Sequence, residues 1–508
     1  MKTSKRFLMK SRLTVVVAIL VVVLPSMAVA ADSRPPNIIV ILADDMGYGD
    51  VGCYNPDSKI PTPNMDRLAA EGIRFTDAHS ADSVCTPSRY ALLTGRYCWR
   101  SDLKRGVLFN YEPPLIEKGR TTIASFLRDA GYATAMVGKW HLGLGFKAKP
   151  GRQVDFDRPL PWPGGPLPDR EIGESIDFTA KATGGPCDHG FDYAFYTAGC
   201  STDQEPFCFI ENGRFLGMEN ASYRHPAGSW RSGMAAADWV NETVDVTFTD
   251  RAIDFIDKRQ AKSPEQPFFL YLALSAPHSP HLIPDFARGK SDAGVRGDMV
   301  WLVDWSVGRI MQTLAKHKIA DRTLLIVTSD NGPLAGSLLP GAPERTAKIS
   351  GDHSSAGPLR GYKGWIYEGG HRVPMIARLP GKIPASVTSD FPVCQIDLLK
   401  TFGSLVGKQL PDGAGEDSSD ILQVLCNQTP KNLKRLPIIH HTNFGTFALR
   451  EEKWKIVFGQ GAHRVRPSDQ RGYLFNMEVD PHETTDLWLR HPEVVEQLTE
   501  MMDKYDCE

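Results

Sequence analysis

Four short segments of this 508-residue chain carry side chains that could work together on an anion. Asp44-Asp45 offers two carboxylates, and Ser329-Asp330-Asn331-Gly332 offers a third with an amide oxygen. Gly138-Lys139-Trp140-His141 and Pro277-His278 add a lysine and two histidines. Three carboxylates and an amide make a hard, all-oxygen ligand set that suits Ca²⁺ or Mg²⁺. His141 and His278 lack partners at the short helical spacing that zinc sites often use, so acid/base roles suit them better. Lys139, Arg89 and Lys363 supply the positive charge that an anionic substrate needs. Each segment alone has an ordinary explanation, since acidic pairs and Asp-Asn-Gly are common in turns. Their joint occurrence points to a site.

The elements that must position these residues alternate between strand and helix. Asn37–Ala43 (NIIVILA) is a continuous apolar run, as expected of a strand covered on both faces. Tyr132–Val137, Phe268–Leu274 and Leu324–Thr328 are similar runs, and each of the four segments above follows one of them. Thr62-Pro63 opens a helix that ends at Gly72, and Thr121–Ala130 is a second helix, stopped by Gly131. This alternation predicts an α/β sandwich with a mostly parallel sheet. Ligands of open α/β sheets bind beyond the carboxyl ends of the strands, where all four segments lie. Between about 145 and 235 the pattern gives way to Gly, Pro and aromatic residues, read as an insertion over the sheet that shapes a substrate pocket. From about 435 short β-like pieces (453–458, 472–476) and a helix near 493–502 predict a small α+β C-terminal subdomain. The expected division is 1–30, 31–430 and 431–508.

The first thirty residues have a basic start, an apolar run from Leu13 to Leu24 and Ala28-Val29-Ala30. That is the pattern of a secretory signal peptide, with an uncleaved anchor as the alternative. The mature protein is therefore expected to be periplasmic or secreted and off the membrane. A formal net charge of −2 provides no bulk attraction to nucleic acid. Nine cysteines leave at least one without a partner inside the chain. Cys85 stands out in SVCTPSRYALLTGRY (83–97), where Pro87 suits the first turn of a helix and Arg89 follows four residues later. A thiol outside the cell oxidises or pairs. Either Cys85 is half of a disulfide or it does not remain a thiol; up to four bridges among the other eight stay open.

Cys85-Thr86-Pro87-Ser88-Arg89 followed by Leu93-Thr94-Gly95-Arg96 resembles the signature of the type I sulfatases, C-x-P-S-R-x-x-x-L-T-G-R. Ile41–Asp50 is similar to the family's first metal segment, and Thr328–Gly332 to its second. Gly138–Gly143 resembles its second signature, and Gly361–Gly364 with Glu368–Pro374 its late lysine loop. The match runs from about Pro36 past Leu399 and is closest in flavour to the bacterial arylsulfatase A-like group. It implies an alkaline-phosphatase-like sandwich with a large, mostly parallel sheet between helices.

The resemblance also implies the chemistry. Cys85 would be oxidised before folding to Cα-formylglycine, by a formylglycine-generating enzyme or a radical maturase. That aldehyde hydrates to a geminal diol. Asp44, Asp45, Asp330 and Asn331, with residue 85, would hold one Ca²⁺. One diol oxygen would attack sulfur while His278 protonates the leaving alcohol; His141 would then deprotonate the second hydroxyl so that sulfate is expelled. Arg89 and Lys139 would stabilise the hydrate, and Lys139 with Lys363 the sulfate charge. His281 lies outside the implied set and either touches substrate or packs.

The expected substrate is a sulfated polysaccharide or oligosaccharide, ahead of a small aryl sulfate. Trp162, Tyr193, Phe195, Tyr196 and Trp230 are candidates for sugar stacking. Two rival functions are a phosphodiesterase or phosphonate hydrolase of the same superfamily, and a non-catalytic glycan-binding protein.

Overall fold

The computed structural model describes residues 34–154, 156, 170–334, 352–430, 433, 435–459 and 472–505. The expected signal peptide, Trp162 and Cys507 lie outside the described residues. Pro35–Glu508 forms one compact unit. No helix among the described residues is long and apolar enough to cross a membrane.

A ten-stranded sheet organises that unit. Its strands, in chain order, are β1 (Asn37–Ala43), β2 (Ile73–Phe75), β3 (Ala133–Lys139), β4 (Tyr193–Thr197), β5 (Ile210–Glu211), β6 (Arg214–Phe215), β7 (Phe268–Ala273), β8 (Thr323–Ser329), β9 (Met375–Arg378) and β10 (Val387–Ser389). Their order across the sheet is 10-2-9-8-1-7-3-4-5-6. The middle five, β8, β1, β7, β3 and β4, are mutually parallel. Every residue of β1, β3, β7 and β8 is buried, which is why these segments read as unbroken apolar runs. Because the five strands run the same way, whatever follows each of them arrives at one edge.

Helices flank the sheet: α1 (Pro63–Ala70), α2 (Cys85–Thr94), α3 (Ile123–Asp129), α4 (Val244–Lys262) and α5 (Gly294–Lys316). The Thr122 hydroxyl caps α3 by accepting from Ser125 N–H. All ten residues of α2 are buried, and Gly95 ends it at φ +63° in the left-handed conformation that glycine tolerates. A four-stranded antiparallel sheet follows in the C-terminal part, from Ile438–His441 through Phe447–Glu451 and Trp454–Phe458 to Tyr473–Asn476, with helix α6 (Pro492–Asp503). Its core residues Ile439, Leu449 and Leu498 form one cluster with Ala91, Tyr97 and Trp99, so this sheet closes over the α2 segment.

The stretch 145–235 differs in one respect from the reading as a loop over the sheet. Its β4, β5 and β6 extend the central sheet itself. Phe195 and Tyr196 are consequently buried in the core and unavailable to sugars, and Tyr193 stacks on Phe255. Trp230, at 42% exposure, remains open to solvent.

Gly138 adopts φ +124°, and a Cβ there would collide with the Ala273 carbonyl of the neighbouring strand. Gly138→Ala is expected to lower stability by about 3 kcal/mol, through strained backbone and broken β3–β7 pairing. A chemical-denaturation curve checks this; an unchanged midpoint would show that β3 can shift freely.

Candidate active site

Asp44 and Asp45 follow β1, Asp330 and Asn331 follow β8, and Lys139 is the last residue of β3. His141 lies two residues beyond Lys139 at φ +56°, and His278 follows β7. Helix α2 brings Cys85, in its first turn, and Arg89 to the same edge. Ligand atoms of Asp44, Cys85 and Asp330 lie within 4.8 Å of one another, as do those of Asp44, Asp45 and His278. Asp44, Asp45, Cys85, His141, His278 and Asp330 thus lie together at one edge of the sheet.

The acids are tied down by cations. Arg89 donates to Asp330 Oδ2 from Nε at 3.0 Å and from Nη2 at 2.7 Å, and lies 3.5 Å from Asp44 Oδ1. Lys139 Nζ donates to Asp44 Oδ2 and Lys363 Nζ to Asp45 Oδ1, both at 2.6 Å. Burial alone would raise the Asp44 carboxyl, but Lys139, His278 and Arg89 outweigh it and hold it well below the usual range. Asp45 N–H donates to Asp330 Oδ1 at 3.2 Å, and Asn331 Nδ2 to Asp45 Oδ1 at 2.7 Å. These bonds lock the two strand ends together.

The family comparison agrees with this geometry. The family profile described as Sulfatase matches residues 36–408. An N-acetylgalactosamine-6-O-sulfatase of Bacteroides thetaiotaomicron is 32% identical over 515 residues, covering 93% of this chain and 93% of the relative. The chain belongs to the sulfatase family. It is accordingly a sulfuric ester hydrolase. Human arylsulfatase A is 33% identical over 475 residues, covering 90% of this chain and 84% of that protein. A solved structure from work on the metabolism of multiple glycosaminoglycans by Bacteroides thetaiotaomicron superposes with a TM-score of 0.79 at 30% identity. It covers 94% of this chain and 100% of that one.

In this sulfatase three ligand-type oxygens, Asp44 Oδ1, Asp45 Oδ2 and Asn331 Oδ1, are buried with no hydrogen-bond partner among the described residues. Each such atom costs about 1–3 kcal/mol unless something satisfies it. Oxygens from three different residues of one cluster fit a hard divalent cation. Burial and the neighbouring Asp44 also push the Asp330 carboxyl well up, a crowding that a dication would relieve.

The histidines are oriented by backbone carbonyls. His141 Nε2 contacts Leu108 O at 2.7 Å, and His278 Nδ1 contacts Ser279 O. A carbonyl only accepts, so these nitrogens carry the hydrogen and the opposite ones, His141 Nδ1 and His278 Nε2, face the site. Burial lowers His141, against the opposing pull of Cys85 and with help from Lys139. Burial and then Lys363 lower His278, while Asp44 and Asp45 raise it. His278 therefore gives up a proton readily, and bound anionic charge would help it hold one.

Three residues here went unassigned in the sequence. Cys200 lies 3.9 Å from His141 Nδ1 and 3.7 Å from His278 Nε2. Asp203 is buried, with burial pushing its carboxyl up to about 6, and Arg231 lies 3.7 Å from it. All three lie beyond β4, whose adjacency to β3 no local pattern announces. His281, beside His278, is only partly buried, and burial takes it down to about 3, so it stays neutral. The eight described cysteines are all unbridged, including Cys200 and Cys208.

Asp330→Ala removes a carboxylate expected to hold the cation and strands Arg89. The expected result is that Ca²⁺ readdition after EGTA treatment raises the melting temperature of the unaltered protein and leaves that of the variant unchanged. A variant that keeps the full rise would exclude Asp330 from the metal site.

Proposed function

We propose that this sulfatase hydrolyses sulfate esters of a glycosaminoglycan-type polysaccharide or oligosaccharide, using a formylglycine made from Cys85 and one Ca²⁺. The observation that carries this reading is the packing of Cys85 against Asp44 and Asp330, at the start of a helix bearing the full cysteine signature. Support for the sugar comes from the relative named as an N-acetylgalactosamine-6-O-sulfatase, similar along nearly its whole length. Asp203 and Arg231 stand beside the cluster as groups able to bind sugar hydroxyls or an acidic sugar. A maturase acts on Cys85 during biosynthesis, and the leader-like first thirty residues send the product to the periplasm or medium.

Asp44, Asp45, Asp330 and Asn331 would hold the cation. When bound, it would polarise the sulfate group and favour the deprotonated form of the residue-85 oxygen. The remaining work falls to this chain's side chains. Lys139 and Lys363 offset the charge of the sulfate oxygens, and Arg89 fixes Asp330 and Asp44. His278 Nε2 protonates the departing alcohol oxygen, and His141 Nδ1 takes the proton from the second hydroxyl at residue 85. An unmodified serine or cysteine has no second hydroxyl, so it would stop after one sulfation.

Cys85→Ala should fold and bind Ca²⁺ yet turn over nothing, because the four oxygen ligands stay in place. Mass analysis of the peptide holding residue 85, with hydrazide capture of the aldehyde, reports the modification directly. Activity from protein whose Cys85 is wholly an unmodified thiol would refute this reading. Turnover of a phosphodiester above that of the matching sulfate ester would favour the phosphodiesterase alternative.

His278→Ala should slow sugar sulfates by roughly 10²-fold or more while sparing activated phenyl sulfates, since only poor leaving groups need the proton. His141→Ala should trap sulfated protein, visible as a mass increase on residue 85. Equal losses on both substrate types, with no adduct, would reverse these assignments.

A further inference from the structure

The chain around His278 frames the side of the site where the alcohol would leave. Cys200 Sγ lies 3.7 Å from His278 Nε2, and the Cys200 carbonyl accepts from Asp203 and Gln204 N–H at 3.0 and 2.8 Å. Gln204 Nε2 donates at 3.3 Å to Leu108 O, the carbonyl that also orients His141. The turn holding Asp203 is thus braced against the supports of both histidines.

A short hairpin joins this frame. Its strands, Ser222–Arg224 and Gly233–Ala235, pair antiparallel. Its base is tied to the buried Glu205, whose Oε2 accepts from Met234 N–H and from the Tyr111 hydroxyl, each at 2.8 Å. Its tip, Pro226-Ala227-Gly228-Ser229, is built from turn-forming residues. Asn241 Nδ2 donates to Ala227 O at 2.7 Å, and Gly228 sits so near Leu282 that a Cβ would collide with that side chain. Leu282 lies four residues beyond His278. Arg231, just past the tip, then meets the frame from the other side. Its guanidinium carbon lies 5.5 Å from the centroid of the Phe109 ring, next to Leu108, and its Nε lies 3.7 Å from Asp203 Oδ2.

The guanidinium is positioned without being used up. The 3.7 Å to Asp203 is beyond hydrogen-bond reach, and among the described residues the Arg231 side chain makes no hydrogen bond. That side chain is 37% exposed. Five N–H donors in a planar fork are available, Asp203 stands on the Nε side, and the aromatic ring helps to fix the plane. Such a fork matches the paired oxygens of a carboxylate or sulfate, whereas a single hydroxyl would engage it only in part. The scissile sulfate is already matched by Lys139 and Lys363 in the mechanism above, so Arg231 is left for a second anion.

We propose that Arg231 is a specificity-determining residue, which binds a second anionic group, a carboxylate or another sulfate, on the departing glycan. The inference rests on the glycan reading given above and narrows it to acidic glycans.

Three substrates test it: a sulfated hexosamine–uronic acid disaccharide, its carboxyl-reduced counterpart, and the carboxyl-reduced form bearing a second sulfate. The unaltered protein should favour at least one of the two dianionic sugars over the carboxyl-reduced monosulfate by about tenfold in kcat/KM, mostly through KM. Arg231→Ala should bring that ratio to about one. Arg231→Lys, which keeps the charge and loses the fork, should fall between the two. A ratio lost for the uronate alone assigns a carboxylate, one lost for the disulfate alone assigns a second sulfate, and loss of both assigns the shared oxyanion chemistry. Ratios of about one in the unaltered protein would overturn the subsite. So would ratios that survive in Arg231→Ala while all three rates fall together, which is the mark of a structural role. Nitrophenyl sulfate and the aldehyde assay on residue 85 keep the two readings apart. Aldehyde present, sugars desulfated and ratios unchanged by the variant remove the subsite alone. Hydrolysis of nitrophenyl sulfate with none of the three sugars desulfated removes the glycan reading and the subsite together.

Discussion

Asp44, Asp45 and Asp330 are buried side by side, and much of the surrounding structure answers to that crowding. Isolated charges in such a place would cost many kcal/mol. Arg89 arrives from a helix, Lys139 from a strand end and Lys363 from a late loop to offset them. Three acids against three bases leave the cluster neutral, so it can be buried. Burial of such a set is nevertheless a poor way to gain stability, since an apolar core of equal volume does as well or better. The three unsatisfied oxygens show what the arrangement leaves available: an oxygen-lined place for a cation.

Holding that cluster requires parts of the chain far apart in sequence. The Asp82-Ser83 turn that feeds α2 is anchored by the C-terminal sheet. His441 Nδ1 contacts Asp82 Oδ2 at 2.9 Å, and the His441 carbonyl accepts from Ser83 N–H at 3.2 Å. Tyr97, just beyond α2, accepts at its hydroxyl from Ile439 N–H at 2.8 Å. The C-terminal sheet is therefore part of what sets the position of residue 85. Its contribution to the site is orientation, because none of the cluster's charged groups comes from it.

The strand-end residues were legible because each strand is an unbroken apolar run with its polar group placed just after it. Parallel order then converts four separate sequence positions into one site, with no need to know the helices in detail. Where the strands are short and mixed with aromatic residues, the same reasoning lost its grip. YAFYT at Tyr193–Thr197 reads equally well as a sugar platform or as a buried strand, and the structure makes it a strand. Cys200, Asp203 and Arg231 follow from that placement, so misreading one five-residue strand hid all three. Cys85 is the opposite case. Its spacing from Arg89 suggested a shared face, yet only the resemblance of the whole signature implied what Cys85 becomes.

The charge count also bears on direction of reaction. Adding a dication to the neutral cluster leaves an excess of two positive charges. In the proposed mechanism, breaking the S–O bond to the alcohol leaves a sulfate ester on residue 85 with one negative charge, and free sulfate carries two, so the excess would be better matched as sulfate is expelled. Interactions that strengthen along the reaction lower its barrier, whereas equal binding of both states does not. The same match would hold the product tightly unless the site discharges it. In the proposed mechanism, deprotonation by His141 would supply that discharge, because it would regenerate the carbonyl and sever the bond that ties sulfate to the chain. On that mechanism the position of His141, fixed by one carbonyl on Leu108, would be as consequential for turnover as the charges proposed to bind the substrate.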